Sequence, residues 1–245
     1  MVKYLNAELY KVRHRAYPLG FLAVVLGGIS ALFLLVKLEG NLNVAGEDMG
    51  YILGMALIAG LYLVVPICDM VFSDQYKFNT LKNEVSYGLP RLRIYFGKLA
   101  SAAIMSVLLC AIIVGYYLML SLLLFPLEGE LTELLRACGE QLLQALPLWL
   151  GGLGLFQALL FTMKGSTSAT VVYFLVVGML DSVLKLLALL VPSLMELAQR
   201  LLSCLLQTPF NSTALDIPHA WLVGMGWLIA STVVGAVVFL KREIN

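Results

Sequence analysis

The chain has 245 residues and a formal net charge of +1, with 61% of its residues apolar and only 13% charged. Together with a mean hydropathy of +0.93, this composition excludes an ordinary soluble globular domain. The small net charge conveys nothing about partners, because it averages two unlike faces.

The first segment, Met1–Tyr17, carries Val2, Leu5, Leu9, Val12 and Ala16 at helical spacing, with Lys3, Lys11 and Arg15 off that stripe. This pattern predicts a basic amphipathic helix ending at Pro18 and lying along the inner membrane surface. Six apolar runs then follow, at about Pro18–Leu38, Tyr51–Phe72, Leu99–Phe125, Leu146–Met163, Ala169–Val191 and Ala220–Leu240. Each is long enough for a helix to cross a hydrocarbon core of about 30 Å. A backbone in lipid must satisfy its own hydrogen bonds, so the runs are predicted to be six transmembrane helices of a single all-α domain. The first run is longer than a signal-peptide core, and no small-residue cleavage site follows it, so it is expected to be an ordinary span.

Charge alternates between connections. Lys3, Lys11, Arg13 and Arg15 precede the first run; Lys77, Lys82, Arg91, Arg93 and Lys98 lie between the second and third; Lys164, Lys241 and Arg242 complete the set. That places 12 of the 16 basic residues on one side, which the positive-inside rule assigns to the cytoplasm together with both termini. The opposite connections are acidic, with Glu39, Glu47, Asp48, Glu128, Glu130, Glu133 and Glu140 against Arg136. Within them, Glu130–Gln144 and Ser193–Gln207 read equally well as amphipathic surface helices, re-entrant caps or plain loops.

The inner segment Ser73–Lys98 is broken at Tyr87-Gly88-Leu89-Pro90. Glycine admits positive φ and proline ends a preceding helix, so two short helices around a turn are expected. Tyr76, Phe78, Tyr87 and Tyr95 among basic residues suggest an exposed interaction surface. Chemistry is sparse elsewhere. His14 and His219 have no partners at metal-ligand spacing, and neither a His-Glu-x-x-His pattern nor a Gly-x-Ser-x-Gly elbow occurs. Gly97-Lys98 is followed by Leu99 and preceded at the required spacing by Leu92, so the phosphate-binding Gly-x4-Gly-Lys-Ser/Thr loop is also missing. The chain is expected to be non-catalytic and to hold neither metal nor nucleotide. Ionisable groups within the runs reduce to Asp69, Asp181 and Lys185, the last two sharing a helix face. So few charges argue against an ion-driven carrier and suit an apolar or amphipathic cargo. Cys68 and Cys110 fall in spans; Cys138 and Cys204 fall outside and are expected to be unpaired. Gly151, Gly152, Gly154, Gly224 and Gly226 are expected to allow close helix packing.

Along its whole length the chain resembles the permease subunits of type-2 ATP-binding-cassette (ABC) exporters, the group of bacteriocin- and lantibiotic-immunity and bacitracin-type drug exporters. The resemblance rests on Ala7-Glu8-Leu9-Tyr10-Lys11, on the turn Lys164-Gly165-Ser166, and on Phe239-Leu240-Lys241-Arg242-Glu243-Ile244. Above all it rests on Thr80-Leu81-Lys82-Asn83, Ser86-Tyr87-Gly88, Arg91, Ile94-Tyr95 and Gly97-Lys98 between the second and third spans. Asp74 stands where many members have Glu, and Asn79 where many have Gly.

The resemblance implies that Met1–Tyr17 is an elbow helix. It also implies that Phe78, Thr80, Leu81, Glu84, Tyr87, Gly88, Arg91 and Arg93 belong to a coupling segment docking on a separate ABC ATPase, present in two copies. ATP and Mg²⁺ would bind on that partner, a second permease half would complete the unit, and membrane lipids would surround it in a bacterial plasma membrane. No nucleic-acid partner is expected. The cargo implied is an antimicrobial peptide, a lantibiotic or a drug. The competing class is an ATP-independent six-span carrier or a substrate-capture membrane protein.

Overall fold

A computed structural model describes residues 2–38, 46–72, 80–124, 131–163, 165–194 and 217–241, leaving aside the side chains of residues 2, 46–52, 55, 80, 81 and 181. The described residues are all-helical, without strands. The elements are α1 (Val2–Arg13), α2 (Ala16–Leu38), α3 (Gly46–Phe72), α4 (Thr80–Ser86), α5 (Arg91–Leu124), α6 (Leu131–Thr162), α7 (Ser166–Phe174), a π-helical turn (Leu175–Met179), α8 (Leu180–Ala188) and α9 (Ile217–Lys241).

Four of these, α2, α5, α6 and α9, are long and apolar enough among the described residues to cross a membrane. The second expected span is α3, whose fully described apolar part is Ala56–Phe72. The fifth is a bent pair, Ser166–Met179 and Ser182–Ala188, meeting at 43°.

Three boundaries differ from the sequence expectation. The N-terminal helix stops at Arg13, not at Pro18, which instead sits in the first turn of α2, where a proline needs no amide donor. The second short helix expected after the Gly-Pro turn is the start of α5, which continues unbroken for 34 residues. Upstream of the fourth apolar run, α6 begins at Leu131 and passes through Pro147 without ending. The stretch 131–144 is therefore the first part of that helix rather than a separate surface element.

Helix α6 is the centre of the bundle: 67% of its apolar window is buried, against 6% for α2. It packs chiefly on α9 and α3. The α6–α9 contact is made by small residues. A Cβ on Gly224 would collide with the backbone carbonyl of Pro147, and one on Gly154 with Leu228 and Ser231. Gly226, expected to do the same, has open space beside it.

Between α3 and α6, the Trp149 indole donates to the Leu57 carbonyl at 3.0 Å and lies against Gly60, which has no room for a side chain. Tyr173 on α7 donates to the Leu61 carbonyl at 2.9 Å. Four helix ends converge on Phe161, whose ring meets Phe72 at 4.9 Å, Tyr95 at 4.7 Å and Phe239 at 4.5 Å. This aromatic knot fastens the ends of α3, α6 and α9 to the start of α5.

Because Gly224 faces rigid backbone, its replacement by Val should force α9 off α6 and cost about 1–3 kcal/mol, whereas Gly226→Ala should be nearly neutral. Thermal denaturation of the purified variants in detergent checks this; equal melting points would remove Gly224 from the packing argument.

Candidate functional site

The turn between α4 and α5 is built by local rules. In α4 the last carbonyls are satisfied by a paired C-terminal cap: Gly88 N–H donates to Val85 O at 3.0 Å and Leu89 N–H to Glu84 O at 3.3 Å. That geometry needs a left-handed residue after the helix, and Gly88 supplies it at φ 80°. Leu89 and Val85 then pack against the core. The Pro90 carbonyl takes the first amides of α5, from Arg93 at 2.8 Å and Ile94 at 3.2 Å. The turn is thus fixed to the helix on both of its sides. Its outer surface presents Tyr87, 87% exposed, with Lys82, Asn83, Ser86 and Arg93 also exposed.

Behind this surface lies a cluster of charges that the amphipathic stripe did not reveal. Glu8 of α1 and Lys98 of α5 are buried at 1% and 0% exposure and paired at 3.2 Å. Lys11 reaches the other oxygen of Glu8 at 2.7 Å and Glu84 of α4 at 3.7 Å. The Tyr4 hydroxyl donates to Glu84 Oε2 at 2.9 Å, and its ring fills the space over Gly97 where a side chain would collide. Lys98 Nζ also stands 5.4 Å from the centre of the Phe72 ring, within cation–π range. From the end of α1, Arg15 donates to the Met70 carbonyl at 3.4 Å.

Helix α1 is therefore bonded to α4 and α5, and the link that follows it, through Arg15, to α3. Isolated buried charges are prohibitive, so each partner obliges the other to stay. Burial alone raises the Glu8 carboxyl, but Lys98 and Lys11 together outweigh it and hold it below the ordinary carboxylate range. Tyr4 is pushed well above the usual phenol value by burial and by the Glu8 and Glu84 carboxylates.

The residues singled out from sequence divide into groups. Phe78, Tyr76, Asp74 and Asn79 lie outside the described residues, and Thr80 and Leu81 open α4 with side chains outside them. Tyr87 and Arg93 face outward; Glu84 turns inward to Tyr4 and Lys11. Arg91 donates to the carbonyls of Phe239 at 3.1 Å and Leu240 at 2.8 Å, so it caps α9. Tyr95, expected on the surface, is fully buried: its ring packs on Phe161 and its carbonyl accepts from Gln157 at 2.9 Å.

Asp69 accepts from Ser166 at 2.9 Å, tying α3 to the first turn of α7. Lys185 is half-buried on α8, and the side chain of Asp181 is outside the described set. Cys68, Cys110 and Cys138 are free thiols; Cys204 is not among the described residues. No group of potential metal ligands occurs among the described residues.

Several apolar helices with outward hydrophobic faces define a multi-pass membrane protein. Residues 4–181 match the family model described as ABC-2 family transporter protein, and the chain belongs to that family. None of the curated proteins compared with it gives a match. It is accordingly an ABC-2 type permease, the membrane component of a transport system.

The buried cluster has two measurable consequences. Removing one partner, as in Lys98→Ala, should cost about 3–5 kcal/mol, and the double replacement Glu8→Met with Lys98→Met should recover most of it; melting curves of the purified variants decide. Because the Glu8 carboxyl is lowered in the folded chain, its stabilising contribution is complete above the ordinary carboxylate value of about 4.3. It is lost as pH falls through the lower folded value. Melting temperature should therefore be insensitive to this group between pH 5 and pH 8 as orders of magnitude, and Glu8→Gln should flatten any decline seen below about pH 4.

Proposed function

We propose that this chain is the membrane half of an ATP-driven exporter, powered by a separate ATPase that seats on the α4 turn. Six crossings are completed by α3 and by the bent α7–α8 pair, with both termini and the α4 turn in the cytoplasm and α1 at the inner interface. The observation that carries the reading is an exposed aromatic–basic surface, Tyr87 with Arg93 and Lys82, on a turn held rigid from behind. A loosely tethered loop would dissipate a push from a partner; a turn locked by Gly88, Pro90 and the Glu84 contacts transmits it.

A working unit then needs two such halves, identical or different, and two ATPases carrying ATP and Mg²⁺. Closure of the ATPases shifts the two halves between inward- and outward-open states. Cargo biases that equilibrium only by binding the two states unequally. The scarcity of charge in the spans suits an amphipathic cargo such as an antimicrobial peptide, a lantibiotic or a drug, moved out of the cell or the membrane.

Tyr87→Ala with Arg93→Ala should lower co-purification of the cognate ATPase at least about tenfold, equivalent to 1.4 kcal/mol, without lowering the melting point. Arg91→Ala should instead destabilise the chain, because the end of α9 loses its cap. Undiminished ATPase binding and peptide-stimulated ATP hydrolysis in the Tyr87/Arg93 double variant would falsify the docking assignment.

A further inference from the structure

One cavity is not used by the coupling machinery. It lies between α2, α3, α5 and α6, walled by Ile29, Leu53, Ile67, Ser106, Tyr117 and Trp149, and its empty space, open side included, is about 670 Å³. Its lining is almost wholly aliphatic or aromatic.

The helices around it explain why it exists. On one side α2 is pinned to α5, by Ser30 against Tyr116 at 2.7 Å and by the Phe33 ring edge-on to Tyr117 at 5.2 Å. On the other, α3 is pinned to α6 through Trp149. Among the described residues α2 packs on α5 rather than on α3, and a slot is left between them.

Ser106 brings one polar atom to an otherwise apolar wall. Ser30, Ser101, Thr162, Thr170 and Ser231 each return their hydroxyl to a carbonyl four residues earlier, the usual solution for a hydroxyl in a membrane helix. The Ser106 hydroxyl is shielded from solvent and has no partner among the described residues.

We propose that this slot is a binding site for one acyl chain of a membrane phospholipid. Two observations and the nature of the surrounding medium select that occupant. From Ser106 to Tyr117 the wall rises about 16 Å at 1.5 Å per residue, close to the half-thickness of a hydrocarbon core of about 30 Å that a single chain spans. The wall offers dispersion contacts and no charge, as a hydrocarbon chain requires. The medium at that depth is itself acyl chain, present without any diffusion from water. A retained chain acts as a removable wedge between α2 and α3. This inference needs only a membrane-embedded chain and is independent of where the ATPase docks.

The test uses the full chain reconstituted in vesicles of phosphatidylglycerol and phosphatidylethanolamine with a trace of phospholipid bearing a diazirine in one acyl chain. After irradiation, adducts are mapped by peptide mass spectrometry. Adducts are expected on the slot residues Leu109 and Ile113 as well as on lipid-facing residues such as Val233. Excess unlabelled long-chain fatty alcohol should displace the first group and spare the second. Cys110→Trp, which fills the slot, should reduce the slot adducts about tenfold, equivalent to 1.4 kcal/mol of affinity, with Val233 labelling unchanged. The proposal is overturned if the wild-type chain gives adducts on outward faces only, or if competitor and Cys110→Trp leave the slot adducts as they were. Slot adducts that vanish as the protein-to-lipid ratio is raised, with Val233 labelling retained, would assign the slot instead to a second copy of the chain and overturn the proposal. The competition arm needs no variant, so poor folding of Cys110→Trp does not decide the matter.

Discussion

A carboxylate and an ammonium taken out of water and placed 3.2 Å apart set the terms for the end of this permease where α1, α4 and the start of α5 meet. Neither Glu8 nor Lys98 is tolerable there without the other. Helix α1 therefore cannot drift along the bilayer as a free amphipathic segment. It is held against α5, and through Lys11 and Tyr4 it holds α4. An apolar pair of similar volume would give comparable affinity between the helices. What charges add is direction, since a carboxylate accepts only from the donors placed around it.

The remainder of the bundle relies on shape. Helix α6 is close enough to α9 that glycine is needed where Pro147 presents its carbonyl, and the Phe161 knot ties the ends of α3, α6 and α9 to the start of α5. Lipid supplies no hydrophobic drive between helices, so close backbone approach and aromatic interlocking carry the association. Elsewhere the packing is more open: α2 rests on α5 while α3 rests on α6 and α5, which leaves the slot between α2 and α3.

Much of this was legible from residues alone. Apolar length marked where helices run, and Gly88 followed by Pro90 marked the turn, because φ preference and the missing amide act locally. The α6–α9 approach was foreshadowed by Gly154 and Gly224. Other features were hidden for physical reasons. Glu8 lies on the same face as Leu5 and Val12, but an apolar stripe gives no weight to an acid, and its partner is 90 residues away. The burial of Tyr95 and the capping role of Arg91 depend equally on distant helices. The unbroken helix from Leu131 through Pro147 was hidden because the charged stretch before Leu146 ends an apolar run without ending the helix.

The π-helical turn at Leu175–Met179 alters the geometry of everything after it. A π turn takes up one residue more than an α turn, which rotates the downstream helix by about 100° relative to an uninterrupted 3.6-residue spiral. From Leu180 onward, the side of the span that meets its neighbours is displaced by one sequence position from the side counted off Ser166. Helical-wheel projections drawn across the joint therefore assign exposed and packed positions wrongly, and the two stretches behave as two independently phased pieces.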